Sequence, residues 1–227
     1  MHDKPIILLF IKTPLKGQAK SRLAAAIGND AALELYQRFV LDTIDTVRSS
    51  AIPLRICFHP PDAMPAIRAW LGEEQMYMPQ QGSDLGERME RAFEQAFQEG
   101  HDRAVLIGSD IPMLTSPIIN EAFTSLGGHD AVLGPAVDGG YYLIGFTAKS
   151  FLPSVFRHIT WSTSTVCTET LDAFKRAGQR VRLLPTLHDV DTGDDLRIFF
   201  EQHRNNHGIS PRTLAYLTEQ EGRLFGP

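Results

Sequence analysis

The chemistry this sequence could perform is concentrated in a few loops. Lys12-Thr13-Pro14-Leu15-Lys16-Gly17-Gln18-Ala19-Lys20-Ser21-Arg22 follows an apolar run and brings three lysines and an arginine to the start of a helical pattern. A helix start leaves backbone N–H groups free and repels cations, so basic residues gathered there point to a bound phosphate. The bland alternative is a solvated basic loop. Lys20 would act as a movable point charge and Arg22 as a planar fork. Gly108-Ser109-Asp110-Ile111-Pro112 sets one carboxylate just past a second apolar run. Asp110 can cap the next turn or hold Mg²⁺ against phosphate oxygens, since hard cations take oxygen ligands. The densest acidic cluster runs from His188 to Asp195. Asp191 is assigned to the same cation as Asp110, which requires the fold to join residues 81 positions apart. Asp189 is expected to point away as a structural residue, and Asp194 or Asp195 to cap a helix beginning near Leu196.

Three more loops carry polar residues with two readings each. The glycines of Asp138-Gly139-Gly140 permit close approach to a ligand, or make an ordinary hairpin-like turn. In Gln81-Gly82-Ser83-Asp84-Leu85-Gly86-Glu87, Ser83 or Asp84 can cap a helix with Glu87 completing the box. Trp161-Ser162-Thr163-Ser164-Thr165 either closes a substrate pocket or caps the helix after it. Other chemistries fail on spacing. The first loop has one glycine where a dinucleotide fingerprint needs three, and Pro14 and Ala19 stand where a Walker A loop needs glycine. Ser109 lacks the second glycine of a nucleophile elbow. His203 and His207 have zinc spacing without the intervening glutamate, and the aspartate cluster lacks the EF-hand ligand pattern. Cys57 and Cys167 read as small core hydrophobes.

The elements that must position these loops are short strands alternating with helices. Ile6 to Ile11 is continuously apolar, as expected of a strand covered on both faces. A helix is expected from Ala19 to Ile27, then a longer one capped by Asn29 and running to about Val47. Strands follow at 54–58, 104–108, 131–133, 141–146 and 181–184, with a short segment at 77–79. Helices are read at 66–71, 85 to about 100, 116–126, 166–177, 196–202 and 213–220. This alternation predicts one α/β domain, residues 1–227, with a mostly parallel sheet. Ligands of such sheets bind beyond the carboxyl ends of the strands, where the polar loops lie.

Composition narrows the partners. Lys+Arg 22 against Asp+Glu 27 gives a net charge of −5 without a long basic block, which argues against nucleic acid. The first apolar stretch is too short to span a bilayer, so no membrane partner and a cytoplasmic location are expected.

Taken in order, these loops resemble the DUF2064 family of nucleotide-diphospho-sugar-transferase-like proteins, also described as glycosyltransferase-like or radical-SAM/selenodomain-associated transferase 1. The resemblance rests on Lys12-Thr13-Pro14 with Gly17 to Leu23, Gln81 to Met89, Gly108 to Pro112, Gly134 to Gly145, Ile159 to Thr163 and Asp189 to Thr192. The Ala19 to Leu23 segment is also similar to that of the guanylyltransferase acting on 2-phospholactate and, more distantly, of the molybdenum cofactor guanylyltransferases. The resemblance implies a GT-A-like three-layer α/β/α sandwich with a mostly parallel mixed sheet. It implies Lys20 and Arg22 on nucleotide phosphates, Asp110 and Asp191 on Mg²⁺ or Mn²⁺, and Gly82, Asp84 and Leu85 beside the base or ribose. Asp138, Gly139 and Gly140 would line the acceptor side, with Lys12 and Trp161 also in the binding pocket.

Three functions follow as expectations. The first is a metal-dependent nucleotidyltransferase, with Lys20, Arg22 and Asp110 as its catalytic residues, joining a nucleoside triphosphate to a small phosphorylated acceptor and releasing pyrophosphate. The second is a glycosyltransferase using a nucleotide-diphospho-sugar, which would want a base such as Asp138 or His188. The third is a nucleotide-binding protein without turnover. Lys20 and Asp110 are expected within roughly 10–12 Å, the span of a phosphate–metal assembly.

Overall fold

The computed structural model describes residues 4–15, 20–206 and 208–225. Lys16 to Ala19 of the basic loop and His207 of the histidine pair lie outside the described residues. Among the described residues, seven strands form one sheet: β1 (Pro5–Lys12), β2 (Leu54–His59), β3 (Met76–Pro79), β4 (Arg103–Ile107), β5 (Ala131–Pro135), β6 (Tyr141–Thr147) and β7 (Val181–Leu183). Their order is β3-β2-β1-β4-β6-β5-β7, and every strand runs parallel except β6, which pairs antiparallel with both neighbours. This is the mixed, mostly parallel sheet of a single α/β domain.

Alternation along β1 divides the core. Ile7, Leu9 and Ile11 face α2 (Asn29–Ser49), α3 (Met64–Leu71) and α5 (Ser116–Ser125). Ile6, Leu8 and Phe10 face α4 (Leu85–Gln98) and α6 (Val166–Arg176). A third apolar cluster joins α1 (Ser21–Ile27) and α2 to α7 (Gly193–His203) and α8 (Pro211–Glu219). Two short elements escaped the sequence reading: a 3₁₀ turn, Pro153–Phe156, and α9 (Glu221–Leu224). Each is about one turn long, too brief for a periodic signal.

Strand direction explains why distant loops meet. With β1, β4, β5 and β7 parallel, the segments that follow them emerge at one edge of the sheet. The chain changes side between β1 and β4, which opens a crevice there. Beyond β7, Leu184 N–H donates to Leu133 O and Leu187 pairs with Ala136. Val190 N–H then donates to Asp110 O at 3.2 Å, which carries the aspartate cluster across the edge to the β4 loop.

Two caps differ from the sequence reading. Gly28, at φ 86°, precedes α2, and Asn29 is the first helical residue. Thr192 caps α7, with Asp195 completing the box by accepting from Thr192 N–H and Oγ1. Asp42 on α2 is buried and accepts from Arg212 N, Thr213 N and Thr213 Oγ1, which ties down the start of α8.

Tyr36 does the same for the end of β1. Its hydroxyl donates to Lys12 O at 3.0 Å and accepts from Lys12 N at 2.7 Å. Burial pushes its phenol pKa well up, so it stays a neutral donor–acceptor. Removing the hydroxyl leaves two backbone groups of Lys12 unpartnered in a largely buried place. Tyr36→Phe is therefore expected to lower unfolding free energy by about 1–3 kcal/mol, read from the urea midpoint at unchanged m.

Candidate active site

The crevice at the strand ends is a cleft of about 730 Å³. Of the residues singled out from sequence, Lys12, Lys20, Arg22, Leu85, Asp110, Asp138, Gly140, Trp161 and Asp191 line it. Gly82, Asp84 and Gly139 do not.

An ion cluster sits on one wall. Lys20 adopts left-handed backbone, φ 52° and ψ 50°, as the residue preceding α1. It therefore does not share the helix's rotation, and its side chain and that of Arg22 converge although they are two residues apart. Lys20 Nζ donates to Asp191 Oδ1 at 2.7 Å and lies 3.0 Å from Asp110 Oδ1. Arg22 Nη2 donates to Asp191 Oδ2 at 2.5 Å. The Lys20 side chain is 4% exposed, with its ammonium 5.9 Å from the Phe39 ring centroid, whereas Arg22 is 68% exposed. Lys20 and Asp110 are thus in contact, closer than the expected hydrated assembly. The two carboxylates converge as expected, but on the Lys20 ammonium. Among the described residues, no group of three or more His, Cys, Asp or Glu is placed to hold a metal ion.

Burial opposes both buried charges, and their partners win. Desolvation would lower the Lys20 pKa, yet Asp110 and Asp191 hold it above its ordinary value. Desolvation would raise that of Asp191, yet Lys20 and Arg22 hold it below. The stabilisation from Lys20 is lost only as pH rises through its raised pKa, and that from Asp191 only as pH falls through its depressed one. Lys20 and Asp191 are both charged across the neutral range.

Asp189 stands apart from the cluster. It is half-buried and does not line the cleft, and burial first, then the charges of Asp138 and Asp191, raise its pKa. Residues two apart in extended backbone share a side, and here buried Val190 takes the other. Asp138 is exposed, and its Oδ1 accepts from Gly140 N at 2.8 Å to shape the loop between β5 and β6. Gly139, at φ 88°, is there for packing, since a Cβ would lie 2.0 Å from Ser164 O. Gly139 O also accepts from Cys167 N–H at 2.8 Å, which docks this loop against the start of α6.

Between the two readings of Trp161, its position is on the cleft wall. A Cβ on Gly86 would lie 2.7 Å from the indole, and Tyr141 meets it edge-on at 6.5 Å between centroids. The helix after it has no side-chain cap. Asp84 caps α4 by accepting from Glu87 N–H, while Glu87 accepts from Ser83 N and Oγ. Gly82, at φ 143°, packs against the same turn.

Sequence reasoning missed Tyr36, His59, Gln80 and Arg88, which also line the cleft. Arg88 stands one turn beyond Leu85, so a helical-face count from Leu85 would have found it. His59 ends β2 beside Lys12, a neighbour that only strand register reveals. The Tyr36 clasp had no local signal, because its partner is 24 residues away.

Comparison with known proteins adds to this picture. A comparison with curated proteins gives no match. A crystal structure from Desulfovibrio desulfuricans G20, provisionally described as a nucleotide-diphospho-sugar transferase, shares 40% identity over 98% of this chain and 97% of its own, at TM-score 0.93. A cytidylyltransferase from Leptospira borgpetersenii is 13% identical over 100% of this chain and 98% of its own, at TM-score 0.57. Rv0371C from Mycobacterium tuberculosis H37Rv, in complex with manganese, is 15% identical over 88% of this chain and 100% of its own, at TM-score 0.55. The last two show the shared fold, that of the GT-A and cytidylyltransferase enzymes. The family model described as "Uncharacterized protein conserved in bacteria (DUF2064)" matches residues 43–163, and with the 40% identical relative beside it, the chain belongs to the DUF2064 family.

Proposed function

We propose that the protein is a transferase acting on a nucleotide substrate, and that it moves a glycosyl group from a nucleotide-diphospho-sugar to a small acceptor. The observation that carries this reading is the pairing, in one cleft, of a lysine–arginine–aspartate cluster with a separate exposed carboxylate, Asp138. Asp138 takes the proton of the acceptor hydroxyl. The acceptor oxygen bonds to the anomeric carbon as the bond from that carbon to the diphosphate oxygen breaks, and the diphosphate leaves with the electron pair. Lys20 and Arg22 neutralise the charge that develops on it. The 40% identical relative, described as a nucleotide-diphospho-sugar transferase, supports sugar transfer. Nucleotidyl transfer to a phosphorylated acceptor, the first expectation from the sequence, would leave Asp138 without a proton to take, because a phosphate nucleophile is already an anion.

The donor set suits a hard cation: Asp110 and Asp191 turn carboxylate oxygens toward one point, the place now taken by the Lys20 ammonium. Mg²⁺ or Mn²⁺ held by those two residues would supply charge neutralisation at the diphosphate. Lys20 would then withdraw from between the carboxylates toward the phosphate oxygens.

Product analysis tests the reaction. Release of nucleoside diphosphate from a sugar nucleotide, without pyrophosphate, is expected. Pyrophosphate release from a nucleoside triphosphate would establish nucleotidyl transfer instead. Asp138→Asn should lower kcat by about 10²–10⁴-fold while nucleotide affinity stays unchanged, a range typical of losing a general base. Arg22→Ala should lower kcat/KM by about 10- to 100-fold, and Arg22→Lys should recover little of it, because the fork geometry is lost.

The cation assignment has its own measurement, in the absence of any substrate. Lys20→Met should raise Mn²⁺ affinity on the order of tenfold, the scale of removing one like charge a few ångströms away. Asp110→Asn and Asp191→Asn should weaken it. Titration followed by Mn²⁺ electron paramagnetic resonance reads all three, and equal affinity throughout would exclude this site.

A further inference from the structure

The charges of the cleft are unevenly paired. Lys20 and Arg22 are matched by Asp110 and Asp191, so that cluster is neutral overall. Further along the same sheet edge the balance changes. Lys12 and His59 are register partners at the ends of β1 and β2. Alternation puts both on the face of Phe10 and Cys57, the face that α4 covers. Gln80 extends the row past β3, with its Nε2 held by Ile11 O and Cys57 O at 3.3 and 2.7 Å. From α4, Arg88 reaches the same cleft.

Among the described residues, Lys12 and Arg88 lack ion-pair partners. Arg88 spends its Nε on Gly82 O at 3.1 Å, and no described carboxylate pairs with its guanidinium or with the Lys12 ammonium. His59 Nδ1 is buried without a hydrogen-bond partner. Burial first, then the charges of Arg88 and Lys12, hold the His59 pKa below its usual value, while Asp62 opposes them. A cleft with one neutral ion cluster and one surplus of cations draws an anion to the surplus.

We propose that Lys12, His59 and Arg88 form a phosphate-binding subsite distinct from the Lys20–Arg22 cluster. The shared ligand chemistry is a phosphate group. It belongs either to the nucleotide or to the acceptor, an assignment that rests on the transferase reading above. Phosphate oxygens would accept from the Lys12 ammonium and the Arg88 Nη groups, with the His59 ring lining the subsite between them and β2.

Calorimetric titration of inorganic phosphate into metal-free protein at fixed ionic strength tests the subsite. One phosphate is expected to bind, and Lys12→Gln and Arg88→Gln should each weaken it at least about tenfold, the effect of losing a charge-assisted contact. Arg91→Gln makes the same charge change one turn away on α4, where Arg91 pairs with Glu87, and should change affinity less than about twofold. No phosphate binding to the wild type, unchanged affinity in both cleft variants, or an equal loss in Arg91→Gln would each overturn the subsite. If Arg88→Gln fails to fold by circular dichroism, Lys12→Gln carries the comparison. Repeating the titration with protein saturated by uridine or guanosine diphosphate and Mn²⁺ separates the sources. Phosphate that still binds places the group on the acceptor, and exclusion places it on the nucleotide. Failure of both diphosphates to bind would sink the transferase reading for these nucleotides, while the metal-free titration still decides the subsite.

Discussion

The cleft depends on one interaction, the buried ammonium of Lys20 held between Asp110 and Asp191. These three residues come from the connection after β1, the loop after β4 and the segment after β7, so a single cation ties together three distant parts of the chain. Taking an ammonium out of water costs several kcal/mol unless its partners compensate. Here two carboxylates do, and the Phe39 ring adds a weaker contribution. Left-handed backbone at Lys20, itself worth about 1–3 kcal/mol of strain, is the local consequence. The strain persists because the cluster fixes the side chain's destination.

That arrangement is possible because strand direction is shared. Among the described residues, β6 is the only strand of the sheet that runs the other way, and the short loop between β5 and β6 places Asp138 at the same edge as Asp110. The edge thus collects charged residues from four connections while the apolar strands behind them remain buried on both faces. Close contacts fix the loops further. Gly139 lies against Ser164 and Gly86 against Trp161, so neither loop can shift without its neighbour.

Much of this was legible in the sequence. Continuous apolar strands separated by amphipathic helices specified the fold class, and Gly/Pro-bearing loops after the first and third of the strongest strands led to the cleft. Lys20, Arg22, Asp110, Asp138, Trp161 and Asp191 could be picked because charged or aromatic residues in such loops are conspicuous. Gly82, Asp84 and Gly139 were conspicuous for a different reason: they build turns and caps, and residue type alone does not distinguish a cap from a contact. Tyr36 and His59 were invisible because their relation to the cleft exists only through register and helix packing, whereas Arg88 follows from the helical face of Leu85.

The ion cluster also limits what the cleft can be. A fully buried ion pair would be a structural lock, since separating it would strand a charge in a poor dielectric. This one is buried at Lys20 but open at its rim, where the Asp110 and Arg22 side chains are 54% and 68% exposed. Water and ligands can reach the carboxylate oxygens without unfolding the loops. An incoming cation would replace the charge that Lys20 supplies, and an incoming phosphate would replace the charge that Asp110 and Asp191 supply. Each exchange alone leaves one partner uncompensated; the two together keep every charge paired. On the transferase reading proposed above, a cation and a phosphate would therefore arrive as one unit.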